Sequence, residues 1–310
     1  MKNRFVRILF LFLLVFTTGT GAICFFSSRT TACSLFVAGS DEDLTYVVNN
    51  NTVMQWLQPT LDSISLQSKA TISQQEGILV VTLEPEKKED AAILYLHGGA
   101  YINDVSAKHL YFCDRLACQT HATVVIPVYP LAPAYTYKDT YTFLEAYYPK
   151  LYKSVEHVTV MGDSAGGGLA IAWCQHIGKD MQPDHLIAIS PWLDISESDP
   201  EADTYNGVDV LLDKDMLKKM GQMWAGDLSV KDYKVSPAYG DSSYLKDVTL
   251  FAGTMELFYP DITNYAQHLK ELKVPVSLTV GEQQIHNYVL YDSPEAYEAF
   301  EKIVRVIQEK

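Results

Sequence analysis

At 310 residues the chain is long enough for one large α/β domain with a substantial core. Its composition, 48% hydrophobic and 20% charged, is that of a globular protein and excludes a disordered one. A formal charge of −14 fits a well-solvated surface and argues against nucleic acid as a partner, because little basic surface is left to neutralise phosphates.

The N-terminus differs from the rest. Lys2, Arg4 and Arg7 precede residues 8–26, an uncharged run rich in Leu and Phe. That length is at the lower edge of what spans a bilayer. The basic flank predicts that this end stays in the cytoplasm and the remainder is exported. Residues 1–27 therefore read as a signal-anchor that ties the protein to a membrane. A cleavable signal peptide is the alternative, since residues 17–22 weaken the apolar run. In both cases the body is expected outside the cytoplasmic membrane, anchored or secreted. The five cysteines, Cys24, Cys33, Cys113, Cys118 and Cys174, form no metal-type spacing, and the contexts of Cys24 and Cys33 do not suit lipidation. Cys113 and Cys118 lie five apart on a predicted helix and do not face each other.

Residues 28–75 are polar, although Val53, Trp56, Leu57 and Leu61 have the spacing of a short amphipathic helix. Apolar runs of strand length follow at 78–83, 91–96, 122–128, 157–161, 185–190, 248–252 and 274–280. Most are apolar throughout, as in a parallel sheet covered on both faces. Helical patterns fill the gaps. Ile262, Tyr265, Ala266 and Leu269 share one face, and Ser293-Pro294 opens a last helix with Tyr297, Phe300, Val304 and Ile307 inward. Strands alternating with helices give an α/β fold over 76–310 with a mostly parallel sheet. One acidic interval, about 195–247, breaks the rhythm and carries a helical pattern at 213–224 with Met216, Leu217, Met220 and Met223. An insertion there sits over the carboxyl ends of the strands and reads as a cap or lid, with a plain surface insertion as the alternative.

The run Gly162-Asp163-Ser164-Ala165-Gly166 ends one of these strands and opens a helix. It is a G-x-S-x-G nucleophile elbow: glycines at both ends let the backbone double back and expose the serine hydroxyl. The helix that follows aims the positive end of its dipole at the same spot. A serine is a poor nucleophile until a base takes its proton, and that base must itself be held in orientation. In this fold order both partners follow the serine, each after a later strand. Of eight histidines, His97, His109, His121 and His157 precede Ser164. His176 lies on the helix after the elbow, His185 begins a strand at the wrong end of the sheet, and His268 sits mid-helix. His286 remains, in a polar loop after the strand 274–280. The acid is expected after the strand 248–252, where Glu256 stands. Asp261 is the alternative, although Pro260 before it marks a helix start. Oxyanion amides are expected from Ala165 and from Gly98 and Gly99 in His97-Gly98-Gly99-Ala100-Tyr101.

With Tyr129-Pro130-Leu131-Ala132-Pro133, Ser190-Pro191-Trp192 and Ile285-His286, these motifs resemble the hormone-sensitive-lipase-like branch of the α/β-hydrolases, from about residue 78 to the C-terminus. The resemblance implies an α/β-hydrolase fold with a mostly parallel sheet, flanking helices and a helical cap built from N-terminal and inserted segments. It implies a carboxylesterase acting through an acyl-enzyme on a small-molecule ester, short to medium in its acyl chain, with no cofactor and no metal. Tyr101, Trp192 and the cap methionines are candidates for the acyl or alcohol pocket. There are departures: Pro130 stands where the family usually has arginine, Ala134 where it has an acid, Glu256 where Asp is commoner, and Asn287 where glycine is commoner. Two other readings use the same fold. A small-amide hydrolase would share the machinery, and a non-catalytic binding protein would be expected to have lost one of the three catalytic residues.

Overall fold

The computed structural model describes residues 50–309 and two short strands, Ile23–Cys24 and Leu35–Phe36, which pair with each other antiparallel in a compact unit of their own. The expected signal-anchor thus lies almost wholly outside the described residues. Among the described residues no helix is long and apolar enough to cross a membrane.

The main body is an eight-stranded sheet. Its strands are β1 (Lys69–Gln75), β2 (Ile78–Glu84), β3 (Ala91–Leu96), β4 (Thr123–Pro127), β5 (His157–Asp163), β6 (His185–Ile189), β7 (Val248–Gly253) and β8 (Val276–Gly281). Their spatial order is β1-β2-β4-β3-β5-β6-β7-β8, with β2 antiparallel to both neighbours and the rest parallel. Alternating side chains feed two cores. Val80, Leu94, Val160, Ala188 and Leu250 face one, and Val81, Ile93, Tyr95, Met161 and Ile187 face the other.

Among the described residues, seven α-helices cover the sheet. Helices α3 (Tyr137–Ser154), α4 (Ser164–His176), α5 (Lys214–Ala225) and α6 (Tyr259–Glu271) lie over the first core through Leu144, Leu169, Trp224 and Ile262. Helices α1 (Asn50–Ser63), α2 (Ala107–Thr120) and α7 (Pro294–Gln308) lie over the second through Leu57, Leu116 and Phe300. The seven sequence-expected strands are all present within a residue or two. Strand β1 was not expected: Lys-Ala-Thr-Ile-Ser-Gln-Gln is a polar edge strand, half exposed, ordered by pairing along its whole length with β2.

In the interval 195–247, α5 is capped by Asp213, whose side chain accepts from the Met216 N–H at 2.9 Å. Leu217, Met220 and Trp224 are buried there, while Met216 and Met223 are only half-buried. Because β3 and β5 to β8 run parallel, the loops after Leu96, Asp163, Ile189, Gly253 and Gly281 open at one edge of the sheet. That edge holds the candidate site.

The second core depends on α7. Phe300 is fully buried, meets Phe112 edge-on at 5.5 Å and lies under the Arg115 guanidinium at 3.9 Å. Phe300→Ala is expected to cost about 3–5 kcal/mol and to lower the melting temperature by roughly 10 °C. A thermal melt showing a loss of less than about 2 °C would contradict this packing.

Candidate active site

Strand β5 stops at Asp163 and α4 begins at Ser164, whose φ of +53° is left-handed. A non-glycine residue held there costs about 1–3 kcal/mol and persists only where its surroundings fix it. The flanking glycines make the turn possible. A Cβ at Gly166 would lie 2.0 Å from the Leu96 carbonyl oxygen and 2.4 Å from that of His97; one at Gly162 would lie 2.3 Å from the Gly166 carbonyl oxygen. The elbow is pressed backbone to backbone against the end of β3, and the Trp192 N–H holds the Ser164 carbonyl at 2.9 Å.

The three expected catalytic side chains meet. Ser164 Oγ lies 2.9 Å from His286 Nε2, and His286 Nδ1 lies 2.6 Å from Glu256 Oε2. The other carboxylate oxygen, Glu256 Oε1, accepts from the Gly253 N–H at 2.7 Å and from the Ser190 hydroxyl at 3.0 Å. All three side chains are buried. Phe258, two residues past the acid, meets the imidazole edge-on at 5.2 Å. Asp261, the alternative acid, lies in the first turn of α6 instead. There burial and the neighbouring Asp199 and Asp194 push its carboxyl up to about 7. Four of the other histidines lie elsewhere: His176 meets Glu145, His185 meets Asp247, His157 meets Asp184, and His268 is on the surface.

Asp163, the residue before Ser164, was not singled out from the sequence. Its carboxylate is buried and accepts from Tyr95 OH at 2.8 Å, the Gly98 N–H at 2.9 Å, Asn287 Nδ2 at 2.8 Å and His109 Nε2 at 3.3 Å. Burial pushes this group up, but the charge and hydrogen bond of His109, with the bonds from Tyr95 and Gly98, outweigh it and bring it down to about 2. A carboxylate at the end of a buried strand must find such donors, and that was the available signal.

This network corrects one expectation. The Gly98 N–H is committed to Asp163 and is not free for a substrate oxygen. The two amides after it belong to a tight turn, with Gly99 at φ +122° and Ala100 at φ +53°. The turn is closed by the Ile102 and Asn103 N–H groups on the Gly99 carbonyl at 3.0 and 2.9 Å. Ala165, second in α4, has one of the first four helical N–H groups, which lack an intrahelical acceptor. Tyr101 and Trp192 are fully buried. Tyr101 OH donates to the Ala165 carbonyl at 2.8 Å, and its ring stacks on Trp224 of α5 at 4.2 Å. Trp192 Nε1 donates to Glu197 at 2.6 Å, and its ring stacks on Phe258 at 5.9 Å.

Comparison with known proteins agrees with this fold. Residues 93–290 match the profile of the alpha/beta hydrolase fold. The chain belongs to the α/β-hydrolase fold family. Within that family it is 28% identical to a triacylglycerol lipase of Mycobacterium tuberculosis over 75% of this chain, although the match spans only 49% of the lipase. It is 26% identical to an acetyl-hydrolase of Streptomyces hygroscopicus, over 71% of this chain and 76% of that protein. Among solved structures, a hormone-sensitive lipase from a metagenome library superposes with a TM-score of 0.73 at 25% identity, covering 84% of this chain and 92% of that one. The resemblance seen in the motifs is therefore one of overall structure as well.

Asp163 also gives the site a dependence on acid. Its folded value lies below the ordinary 3.8, so its contribution to stability is present above about pH 4 and is lost as pH falls through about 2. Between pH 5 and 2, urea unfolding of the wild type should lose about 2 kcal/mol more stability than Asp163→Asn does. Equal losses in the two proteins would contradict the pairing.

Proposed function

We propose that this protein is a carboxylic ester hydrolase that works through an acyl-enzyme on Ser164. The observation that carries this reading is the unbroken contact from Ser164 Oγ to His286 Nε2 at 2.9 Å and from His286 Nδ1 to Glu256 Oε2 at 2.6 Å. His286 takes the hydroxyl proton as Ser164 Oγ bonds to the ester carbonyl carbon, giving a tetrahedral intermediate. Glu256, fixed by the Gly253 N–H and the Ser190 hydroxyl, holds the imidazole in the tautomer that leaves Nε2 free to accept, and stabilises the imidazolium. The negative oxygen takes the amides of Gly99, Ala100 and Ala165. The intermediate collapses as His286 returns the proton to the departing alcohol. Water then enters and bonds to the acyl carbon as His286 takes its proton. The second tetrahedral intermediate releases the acid as the bond to Ser164 Oγ breaks and His286 returns the proton to that oxygen.

The names of the relatives, an acetyl-hydrolase and an esterase among them, support carboxylic esters as substrates, the acetyl-hydrolase supporting a short acyl chain. The interval 195–247 acts as a cap in this reading, since α5 lies over Tyr101 beside the oxyanion loop. The uncharged run at 8–26 with its basic flank supports placing the body outside the cytoplasmic membrane.

Hydrolysis of p-nitrophenyl esters from acetate to palmitate is the test. Activity is expected to fall with acyl length, and Ser164→Ala and His286→Ala should each lower kcat by about 10⁴-fold or more. A Ser164→Ala protein that keeps wild-type rates would overturn the reading.

A further inference from the structure

We infer that Asn287 and Ser190 are positioning residues that close the three catalytic groups into one hydrogen-bonded ring, an inference that rests on the proposed roles of Ser164, His286 and Glu256. The ring can be followed atom by atom. From Ser164 the chain passes back one residue to Asp163, whose Oδ2 accepts from Asn287 Nδ2 at 2.8 Å. The Asn287 backbone N–H donates to Ser190 Oγ at 3.0 Å, and that hydroxyl donates to Glu256 Oε1 at 3.0 Å. Glu256 Oε2 meets His286 Nδ1, and His286 Nε2 returns to Ser164. Asn287 is also covalently next to His286, so it holds the base from both its side chain and its backbone.

Backbone geometry alone does not account for an asparagine here. Asn287 has φ +58° and Ser190 φ +45°, conformations that glycine adopts without strain. Asparagine tolerates the left-handed region, but this one carries a cost that glycine would not: its Oδ1 is buried with no hydrogen-bond partner among the described residues. What the side chain supplies in return is the Nδ2 bond to Asp163. That bond joins the loop carrying the base to the residue that precedes the nucleophile. Ser190 completes the circuit, since it lies just past β6, between the strands that deliver Ser164 and Glu256. Its hydroxyl accepts from one side and donates to the other, a double role that neither alanine nor glycine can fill.

Three variants separate this from a requirement for a left-handed turn. Asn287→Gly keeps the turn and removes the amide. Asn287→Asp keeps the size and the tolerance for positive φ but sets a second carboxylate against Asp163. Ser190→Gly relaxes the other turn and removes the hydroxyl. Each is measured with a p-nitrophenyl ester beside wild type and Ser164→Ala, with kcat and KM resolved and folding checked by melting temperature. The expected result is a kcat about tenfold lower for Asn287→Gly and Ser190→Gly with KM within about twofold, and a larger loss for Asn287→Asp. Asn287→Gly with wild-type kcat beside an inactive Ser164→Ala overturns the ring and leaves the catalytic serine standing. Ser164→Ala with wild-type kcat overturns both.

Discussion

The site is assembled around one buried charge. Asp163 sits at the end of β5 with its carboxylate closed off from water, and an ion in that position would be costly without donors. Four donors reach it, from β3 (Tyr95), from the loop after β3 (Gly98), from α2 (His109) and from the loop after β8 (Asn287). Satisfying the carboxylate, one residue away from Ser164, sets the start of the turn 98–101 and anchors Asn287 beside His286. Losing one donor would leave the charge underpaid by its remaining partners, and the loops would be free to shift.

The elbow works by the same economy of space. Ser164 is strained, yet the strain is over-determined by Gly162 and Gly166 packed onto the carbonyls of Leu96 and His97 and by the Trp192 N–H on its own carbonyl. On the far side, Tyr101 ties the Ala165 carbonyl to the stack of aromatic rings that includes Trp192 and Trp224. Trp224 belongs to α5, so the inserted interval is packed against Tyr101, at the end of the turn 98–101. Rotamers and backbone held from several directions are what a preorganised site requires, because the transition state then demands little rearrangement.

Much of this was legible in the chain. Apolar runs bounded by turns located β2 to β8, since buried parallel strands need little polar alternation. Residues Val53, Leu57 and Leu61 marked α1 by their spacing and are buried as that spacing requires. Chain order alone singled out His286, and strand position singled out Glu256; the structure brings His286 to Ser164 and Glu256 to the far nitrogen of His286. What was illegible depends on contacts between distant segments. His-Gly-Gly signals an open turn but not which amides remain free, and the commitment of Gly98 depends on a carboxylate 65 residues away. Tyr101 and Trp192 read as candidates for the acyl or alcohol pocket, whereas both are fully buried and their polar partners are other protein groups. Asn287 looked like a departure from its relatives; its left-handed backbone explains why a glycine commonly stands there and why asparagine can replace it.

The central claim is that Ser164 is a nucleophile activated by His286, and covalent titration tests it most directly. The folded protein would be treated with a fluorophosphonate, which phosphonylates an activated serine with loss of fluoride, and then analysed by intact mass and by peptide mapping. The expected result is one adduct per chain, on the peptide containing Ser164, absent from Ser164→Ala and slowed by orders of magnitude in His286→Ala. A folded wild-type protein that takes up no adduct, or takes it up at another serine, would contradict the assignment.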